Sequence, residues 1–285
     1  MSSPRRASIL LAQAHPDDET FHGGILSHLS ERGARVTIVC ATNGDAGRAH
    51  PSLGTVNDIG ALRAEELRLS CRRLGIDEPV LLGFHDSGRK ERQRHDDPRA
   101  LANVDMMEVE AALREVIVEL KPHVILTFEP HGGYYHPDHL AIQRAATAAF
   151  FSSGVMGADA PERLFYMTLR HDIFTALAAA SRGRGLFDGL DPDIFAATSG
   201  MVAVSFDASP YVERKYLALA AHRSAFGLTP EMLKNPPDSV APMLTAFRPV
   251  FEREVFLLGG ARGPIPRWPL TDFFDGLESA VFEKD

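Results

Sequence analysis

Short apolar runs alternate with amphipathic helical segments over the first half of the chain. The runs predict strands at residues 8–14, 35–41, 80–84 and 123–128. The segments between them and after the last predict helices at 20–32, 59–74, 105–120 and 140–151. Because strands separated by helices of this length pair in parallel, the alternation predicts an α/β fold with a doubly wound, mostly parallel sheet.

The alternation weakens beyond about residue 160. Further strands are predicted at 163–170, 201–206 and 250–258, and a further helix at 211–221. The charged segment 86–103 and the proline-rich segment 227–242 predict loops. We expect one domain over 1–285, with a core at 8–152 and a C-terminal elaboration at 160–285; a separate C-terminal subdomain is the alternative.

Composition excludes several classes of partner. A net charge of −8 argues against nucleic acid, whose phosphates need a basic face. No apolar run approaches the roughly 18–20 residues of a membrane span, and the run at 8–14 is too short for a signal peptide. The two cysteines lie in segments predicted to be buried, as apolar fillers do. We expect a soluble, cytoplasmic protein that acts on a small molecule; the oligomeric state is left open.

A His-Pro-Asp step follows two of the predicted strands. HPDDE at 15–19 comes directly after the first strand, and HPDH at 136–139 follows the fourth. Proline is favoured at the first position of a helix, so each histidine is expected where a strand ends and a helix begins. Open α/β sheets bind their ligands along that carboxyl edge. Both polar clusters are therefore expected in one site.

These residue types suit a catalytic metal centre. Zinc in such centres commonly has three protein ligands, often two histidines and a carboxylate, and a fourth position open to water. His15 and His139 supply imidazoles, and either Asp17 or Asp18 supplies the carboxylate. The other aspartate is then placed to act as a general base. The same ligand types can hold Fe²⁺ in oxygenases, but the parallel-sheet pattern disfavours that class.

Further polar residues near the second motif suit the hydrolysis of an amide. His136 lies close in sequence to His139 and could protonate a leaving amine, with Asp138 keeping it charged through a hydrogen bond. Tyr134 or Tyr135 could donate to the oxyanion of a tetrahedral intermediate.

Two motifs resemble those of a known family. AHPDDETFHGG at 14–24 and GGYYHPDH at 132–139 are similar to the two signatures of the PIG-L/LmbE-like deacetylases, and the resemblance extends over 8–150. It implies a Rossmann-like fold and hydrolysis of the N-acetyl group of a small N-acetylglucosaminyl compound. Such compounds include GlcNAc-phosphatidylinositol and intermediates of mycothiol and bacillithiol. A related branch of the family cleaves thiol S-conjugates.

The resemblance also implies roles for individual residues. The ligands of one zinc ion per chain, with Fe²⁺ possible in its place, would be His15, Asp18 and His139. Asp17 would be the general base. The residues around the substrate carbonyl would be His136 as acid or oxyanion stabiliser, Asp138 as its orienting partner, and Tyr134. The residues that bind the sugar would be Arg63 and Asp86.

The C-terminal part departs from the family pattern at one position, and two other functions are alternatives to N-deacetylation. His222 and Ser224 resemble a family pattern HxSQ, but Ala225 replaces the glutamine, so we expect His222 to be structural. An amidase of a larger thiol S-conjugate is an alternative on the same scaffold. A non-catalytic nucleotide-binding protein is a weaker one, since the turn at 13–18 has no glycine and two carboxylates that would repel a pyrophosphate.

Overall fold

The predicted alternation of strands and helices is present in the computed structural model, which describes residues 4–181 and 187–283. The strands of this part of the chain are β1 (Arg5–Arg6), β2 (Ser8–Gln13), β3 (Arg35–Thr42), β4 (Val80–Phe84), β5 (Val124–Phe128), β6 (Arg163–Thr168), β7 (Val204–Asp207), β8 (Arg253–Ala261) and β9 (Ala280–Val281). The helices are α1 (Gly23–Glu31), α2 (Ile59–Leu74), α3 (Met106–Leu120), α4 (Gly132–Tyr135), α5 (Pro137–Ser152), α6 (His171–Ala180), α7 (Pro192–Phe195), α8 (Val212–Leu219), α9 (Arg223–Phe226), α10 (Pro230–Lys234) and α11 (Ala241–Glu252).

Seven strands form one sheet in the order β4-β3-β2-β5-β6-β8-β7. Pairing is parallel from β4 to β6 and antiparallel where β8 contacts β6 and β7. All six residues of β2 are buried, as expected for a central parallel strand covered by helices on both faces. The predicted fold class, a doubly wound, mostly parallel α/β sheet, is confirmed.

Local signals explain where the helices begin and end. The Asp58 side chain caps α2 by accepting from the backbone N–H of Ala61, and Gly75 ends the helix with φ 73°. Pro137 is the first residue of α5 and His136 is its N-cap. The helix predicted at 20–32 begins later than expected, at Gly23, because a 3₁₀ turn at Asp18–His22 precedes it.

The C-terminal region differs more from the sequence-based expectations. Residues 241–252 form α11, so the strand predicted at 250–258 begins only at Arg253. The predicted strand was displaced because Val250 and Phe251 pack in an apolar cluster between helices. Five helices in the described part of this region were not predicted: α6, α7, α9, α11, and α10, which lies within the expected loop at 227–242.

A buried ion pair joins the C-terminal region to the first helix. Lys215 Nζ of α8 lies 2.5 Å from Glu254 Oε1 of β8, and neither side chain is exposed. Glu254 also accepts from the backbone N–H groups of Gly24 and Ile25, at 2.9 Å each. The carboxylate therefore satisfies the first N–H groups of α1. Within the described residues, no helix has the length and hydropathy to cross a bilayer.

Candidate active site

The two predicted motifs meet where the strand order reverses. From β2 the chain moves to β3 and β4 on one side, and β5 and β6 lie on the other, so the carboxyl ends of β2 and β5 flank the crevice typical of such sheets. His15 follows β2 and His139 lies in the first turn of α5 after β5. Their Nδ1 and Nε2 atoms are 3.2 Å apart. The expectation of a single site is therefore met at this edge.

The loop after β2 holds Asp17 in an unusual backbone conformation, with φ 110°. A non-glycine residue with positive φ is strained and persists only when its surroundings fix it. Its backbone N–H donates to Glu19 Oε2 at 3.1 Å, and its carbonyl accepts from Thr20 Oγ1 at 2.7 Å. Arg63 Nη2 donates to Pro16 O at 2.6 Å and to Asp17 Oδ2 at 3.2 Å. The position of the Asp17 carboxylate is thus determined by its neighbours.

Contacts behind each imidazole indicate which nitrogen carries the proton. His139 Nδ1 lies 3.0 Å from the carbonyl oxygen of Gly132, which can only accept, so Nδ1 donates and Nε2 faces the site with a lone pair. The Phe128 ring stacks on His139 with centroids 4.0 Å apart and fixes its orientation. His15 Nε2 donates to Asp138 Oδ2 at 3.0 Å. In a neutral His15, Nδ1 also faces the site with a lone pair.

Carboxylate oxygens of Asp18 complete this arrangement. Oδ1 lies 3.4 Å from His139 Nε2, and Oδ2 lies 3.8 Å from His15 Nδ1. Two donor atoms about 2.0–2.2 Å from a tetrahedral zinc ion lie roughly 3.3–3.6 Å from each other. The spacing of the two imidazole nitrogens, 3.2 Å, is close to that range, and each nitrogen also has a different Asp18 oxygen at 3.4–3.8 Å. The donor set and its spacing therefore fit a zinc-like cation.

Overlapping groups of side chains also converge here. His15, His136 and His139 form one group of potential ligands, and His15, Asp86, His136 and Asp138 form a second; within each group the potential ligand atoms lie within 4.8 Å of one another. Asp18 belongs to neither group; its oxygen nearest to His15 is Oδ2, and its oxygen nearest to His139 is Oδ1. The geometry therefore admits His136 or Asp138 as well as Asp18 near a cation.

The buried carboxylates of this cluster favour a positive charge among them. Burial on its own lowers the pKa of His15, but the carboxylates of Asp86 and Asp138 outweigh it and raise that pKa well above its ordinary value. Burial and the charge of His15 lower the pKa of His139. Burial raises the pKa of Asp17 and that of Asp18 to about 6 each. Buried carboxylates packed this closely need a cation or a proton among them.

The structure differs from the expectation for His136 and Asp138. The Asp138 carboxylate accepts from His15 Nε2 and from the backbone N–H of Ser87. The hydrogen bond between Asp138 and His136 involves the Asp138 backbone N–H instead, which donates to His136 Nδ1 at 3.2 Å. Burial and the charges of His15 and His139 lower the pKa of His136 to about 2. The prediction that Asp138 keeps His136 charged is therefore wrong. Because His136 Nδ1 accepts from the Asp138 backbone N–H, a neutral His136 carries its proton on Nε2, which can donate.

Tyr134 lies beside the cluster. Its ring centroid is 4.9 Å from that of His139, and the guanidinium carbon of Arg89 is 4.9 Å from the Tyr134 centroid. Burial raises the pKa of Tyr134, so its hydroxyl stays protonated and can donate. The preceding glycines are required: Gly132 has φ 61°, and a Cβ there would lie 2.8 Å from that of His139. Tyr135, the alternative from sequence, is 51% exposed.

Arg63 and Asp86, which are expected to bind the sugar, both form hydrogen bonds with other residues of the chain. Besides its contacts with the Asp17 loop, Arg63 donates to the carbonyl oxygen of Gly44 at 3.1 Å. Asp86 Oδ1 accepts from the backbone N–H of Gly88 at 2.8 Å and lies 3.5 Å from His15 Nε2. The structure therefore places Arg63 behind the proposed base and Asp86 beside a proposed ligand. Their contact with substrate stays a prediction.

Sequence reasoning gave no role to Glu19, the last residue of the first motif. This carboxylate is fully buried and accepts from His222 Nε2 and Ser70 Oγ, each at 2.5 Å, through Oε1. Its Oε2 accepts from the Asp17 backbone, as described above, and from Gln13. His222 thus contacts Glu19, which reaches the strained loop that carries Asp17, and a structural role for His222 stays a prediction. The only sequence signal for this network was a third acidic residue in the first motif, directly after Asp17 and Asp18.

Comparisons with known proteins agree with this picture. Residues 10–150 match the model of the PIG-L family, described as GlcNAc-PI de-N-acetylase. A 1D-myo-inositol 2-acetamido-2-deoxy-alpha-D-glucopyranoside deacetylase from Saccharomonospora viridis is 34% identical over 94% of this chain and 100% of its own length. The chain belongs to the PIG-L family. The expected family and enzyme class, an N-deacetylase that hydrolyses amide bonds, are thereby confirmed.

Solved structures share the fold at lower identity. The N,N'-diacetylchitobiose deacetylase of Pyrococcus horikoshii is 20% identical, with a TM-score of 0.57 over 88% of this chain and 83% of that one. A 4-carboxy-2-hydroxymuconate hydratase from Pseudomonas putida is 17% identical, with a TM-score of 0.55 over 92% of this chain and 99% of that one. Since a deacetylase and a hydratase share this fold, the site must decide the reaction.

Proposed function

We propose that the chain hydrolyses the N-acetyl group of a small N-acetylglucosaminyl-type compound, with one zinc ion held by His15, Asp18 and His139. The observation that carries the proposal is the convergence of His15 Nδ1, His139 Nε2 and the Asp18 carboxylate, with separations of 3.2–3.8 Å. The Saccharomonospora viridis deacetylase, matched over its whole length, supports the amino-sugar substrate. Bound there, zinc would supply Lewis acidity, which polarises a carbonyl and makes a water molecule more acidic.

Asp17 is suited to accept a proton from the attacking water. Its pKa of about 6 leaves it ionised at neutral pH, yet basic enough to take a proton in the transition state. Arg63 and Glu19 hold its loop, so little reorganisation is needed during reaction. The proton that it accepts is then available for the leaving nitrogen, whose lone pair must be protonated before the amine departs.

His136 and Tyr134 are suited to stabilise the oxyanion that forms from the amide carbonyl. Both are neutral donors: His136 through Nε2, since Nδ1 accepts from Asp138, and Tyr134 through its hydroxyl. Donors fixed in a site that excludes water stabilise developing charge without reorganising. The low pKa of His136 favours this role over that of a charged acid.

The test combines metal analysis with an assay of amine release. Purified protein is treated with a chelator, reloaded with Zn²⁺ or Fe²⁺, and given a panel of N-acetylglucosaminides that includes the inositol glycoside. We expect about one metal ion per chain, primary amine and acetate from at least one glycoside, and loss of both products with the chelator. Undiminished activity in metal-free protein would contradict the proposal.

Single variants locate the metal. His15→Ala and His139→Ala should each deplete the bound zinc, because each removes one of three protein ligands. His171→Ala is the matched control: this histidine pairs with Asp193 on the surface, and its side chain is 43% exposed. Full metal content in both ligand variants would refute the assignment.

A further inference from the structure

A cavity of about 210 Å³ is continuous with the metal-binding cluster, since Asp17, Asp18 and His139 belong to its lining. The rest of the lining is mostly apolar. Its phenylalanines are Phe21, Phe128, Phe174, Phe187, Phe195, Phe226 and Phe247. Four of the elements behind it, α6, α7, α9 and α11, lie beyond the residues that match the family model.

The cavity is larger than an acetyl group needs. A dry apolar cavity of about 150 Å³ accommodates a benzene molecule, whereas an acetyl group ends in a single methyl. Phe174 and Phe195 in the wall are 1% and 6% exposed, whereas four of the other five phenylalanines are half-buried, so the cavity has a packed inner wall and opens to solvent at its outer part. An occupant of roughly six carbon atoms fits this volume.

The wall offers few partners for a carbohydrate. Both oxygens of Glu129 already accept hydrogen bonds, from the backbone N–H groups of His131 and Gly133. Burial lowers the pKa of His22 to about 3, so this histidine is uncharged. His22 Nδ1 has no hydrogen-bond partner among the described residues and could accept from one hydroxyl. The other hydroxyls of a sugar moved into the cavity would lose hydrogen bonds to water, whereas an alkyl or aryl group would gain from burial.

Polar groups lie outside the cavity instead. Arg63, Asp86 and Arg89 surround the cluster but do not belong to the lining. Arg94 pairs with Asp45, which accepts from the backbone N–H of Asp86. The cluster is therefore bounded by charged donors and acceptors in one direction and by phenylalanines in another. An amide bond that joins a polar sugar to an apolar acyl group matches this division.

We propose that the cavity binds the acyl group of the substrate, and that the enzyme prefers N-acyl glucosamine compounds whose acyl group is larger than acetyl, up to about hexanoyl or benzoyl. This inference rests on the proposed function and extends it from N-acetyl compounds, which are still hydrolysed, to larger N-acyl groups. Acetyl compounds are then hydrolysed less efficiently, because their methyl group leaves the cavity unfilled.

A series of substrates tests the preference. N-acetyl, N-butanoyl, N-hexanoyl and N-benzoyl derivatives of one soluble glucosaminide are compared by kcat/KM for amine release, alongside an N-acetyl glucosaminide with a hexyl aglycone. Burial of a methylene is worth about fourfold, so we expect the N-hexanoyl substrate to exceed the N-acetyl one at least about tenfold. A gain with the hexyl aglycone alone would overturn the proposal, since the cavity would then bind the aglycone.

A variant that narrows the cavity tests whether the cavity determines the acyl preference. Leu177 of α6 lines the cavity and is 9% exposed, so Leu177→Phe should lower the ratio of kcat/KM for N-hexanoyl to N-acetyl at least about fivefold. Leu217→Phe is the same substitution at a position of α8 that is 39% exposed and outside the lining, and should leave the ratio unchanged. Melting temperatures of both variants confirm that they are folded.

Binding of the carboxylate products gives a readout that needs no turnover. Hexanoate should raise the melting temperature more than acetate at equal concentration, and Leu177→Phe should abolish the difference. If acetyl compounds are hydrolysed but kcat/KM falls with acyl length and hexanoate binds no better than acetate, only the acyl assignment fails. If no compound of the series releases amine, the proposed hydrolase function fails and the acyl assignment fails with it.

Discussion

The two halves of the chain contribute differently to the site. Residues 10–150, which match the family model, supply the histidines and aspartates at the carboxyl ends of β2 and β5. The helices after residue 160 supply most of the phenylalanine wall beside them. The polar cluster is fixed by specific hydrogen bonds, whereas the wall is fixed by packing. We therefore expect changes on the polar side to alter the rate for all substrates, and changes in the wall to alter the proposed acyl preference.

The largest expected effect is on the polar side. Asp17→Asn preserves the shape of the side chain and the contacts of its backbone but removes the proposed base. We expect kcat to fall about 10²–10⁴-fold for acetyl and hexanoyl substrates alike, with zinc content unchanged. Asp172→Asn, at a surface aspartate whose side chain is 59% exposed, is the control. A loss that depended on acyl length would contradict the separation of the two sides.

A second prediction concerns the contact that joins the two halves. Lys215→Met leaves the buried Glu254 carboxylate with only its backbone donors, and removing one partner of a buried pair costs about 3–5 kcal/mol. Urea denaturation should show that loss in the free energy of unfolding. Arg248→Met breaks an exposed pair with Glu252 and should cost within about 0.5 kcal/mol. Two separate unfolding transitions would contradict the predicted single domain over 1–285.

The smallest of these effects involves a residue of the second half that supports the first. His222→Leu removes the donor to Glu19, which accepts from the Asp17 backbone. We expect kcat to fall about 10–100-fold with KM little changed, since the contact positions the base without touching substrate. His222→Gln, which keeps a donor, should recover most of the activity. Equal kcat values for the two variants would show that the contact has no role in positioning.

The first half could be predicted well because its signals are local. The helix expected at 59–74 and the strand expected at 80–84 have the same bounds in the structure, since a cap and a C-terminal glycine mark the helix and a short apolar run marks the strand. His15 and His139 could be brought together because parallel strands end at one edge. The hydrogen bond of Asp138 to His15 could not be predicted, because its direction depends on how two loops pack.

The second half could be predicted less well for a related reason. The run at 250–258 is apolar enough for a strand, yet Val250 and Phe251 lie in α11, whose packing partners come from distant segments. Likewise, no sequence motif predicts the cavity. Phe174, Phe195 and Phe247 are far apart in sequence, and each alone is typical of a core residue. Only the tertiary arrangement shows that they share a wall.

Anomalous diffraction at the zinc absorption edge, from crystals of the zinc-loaded protein, most directly tests whether one cation joins the two motifs. The account predicts a single strong peak within bonding distance of His15 Nδ1, His139 Nε2 and an Asp18 oxygen, next to the cavity walled by Phe174 and Phe195. A peak bound elsewhere, or fully loaded protein with no peak between His15 and His139, would contradict it.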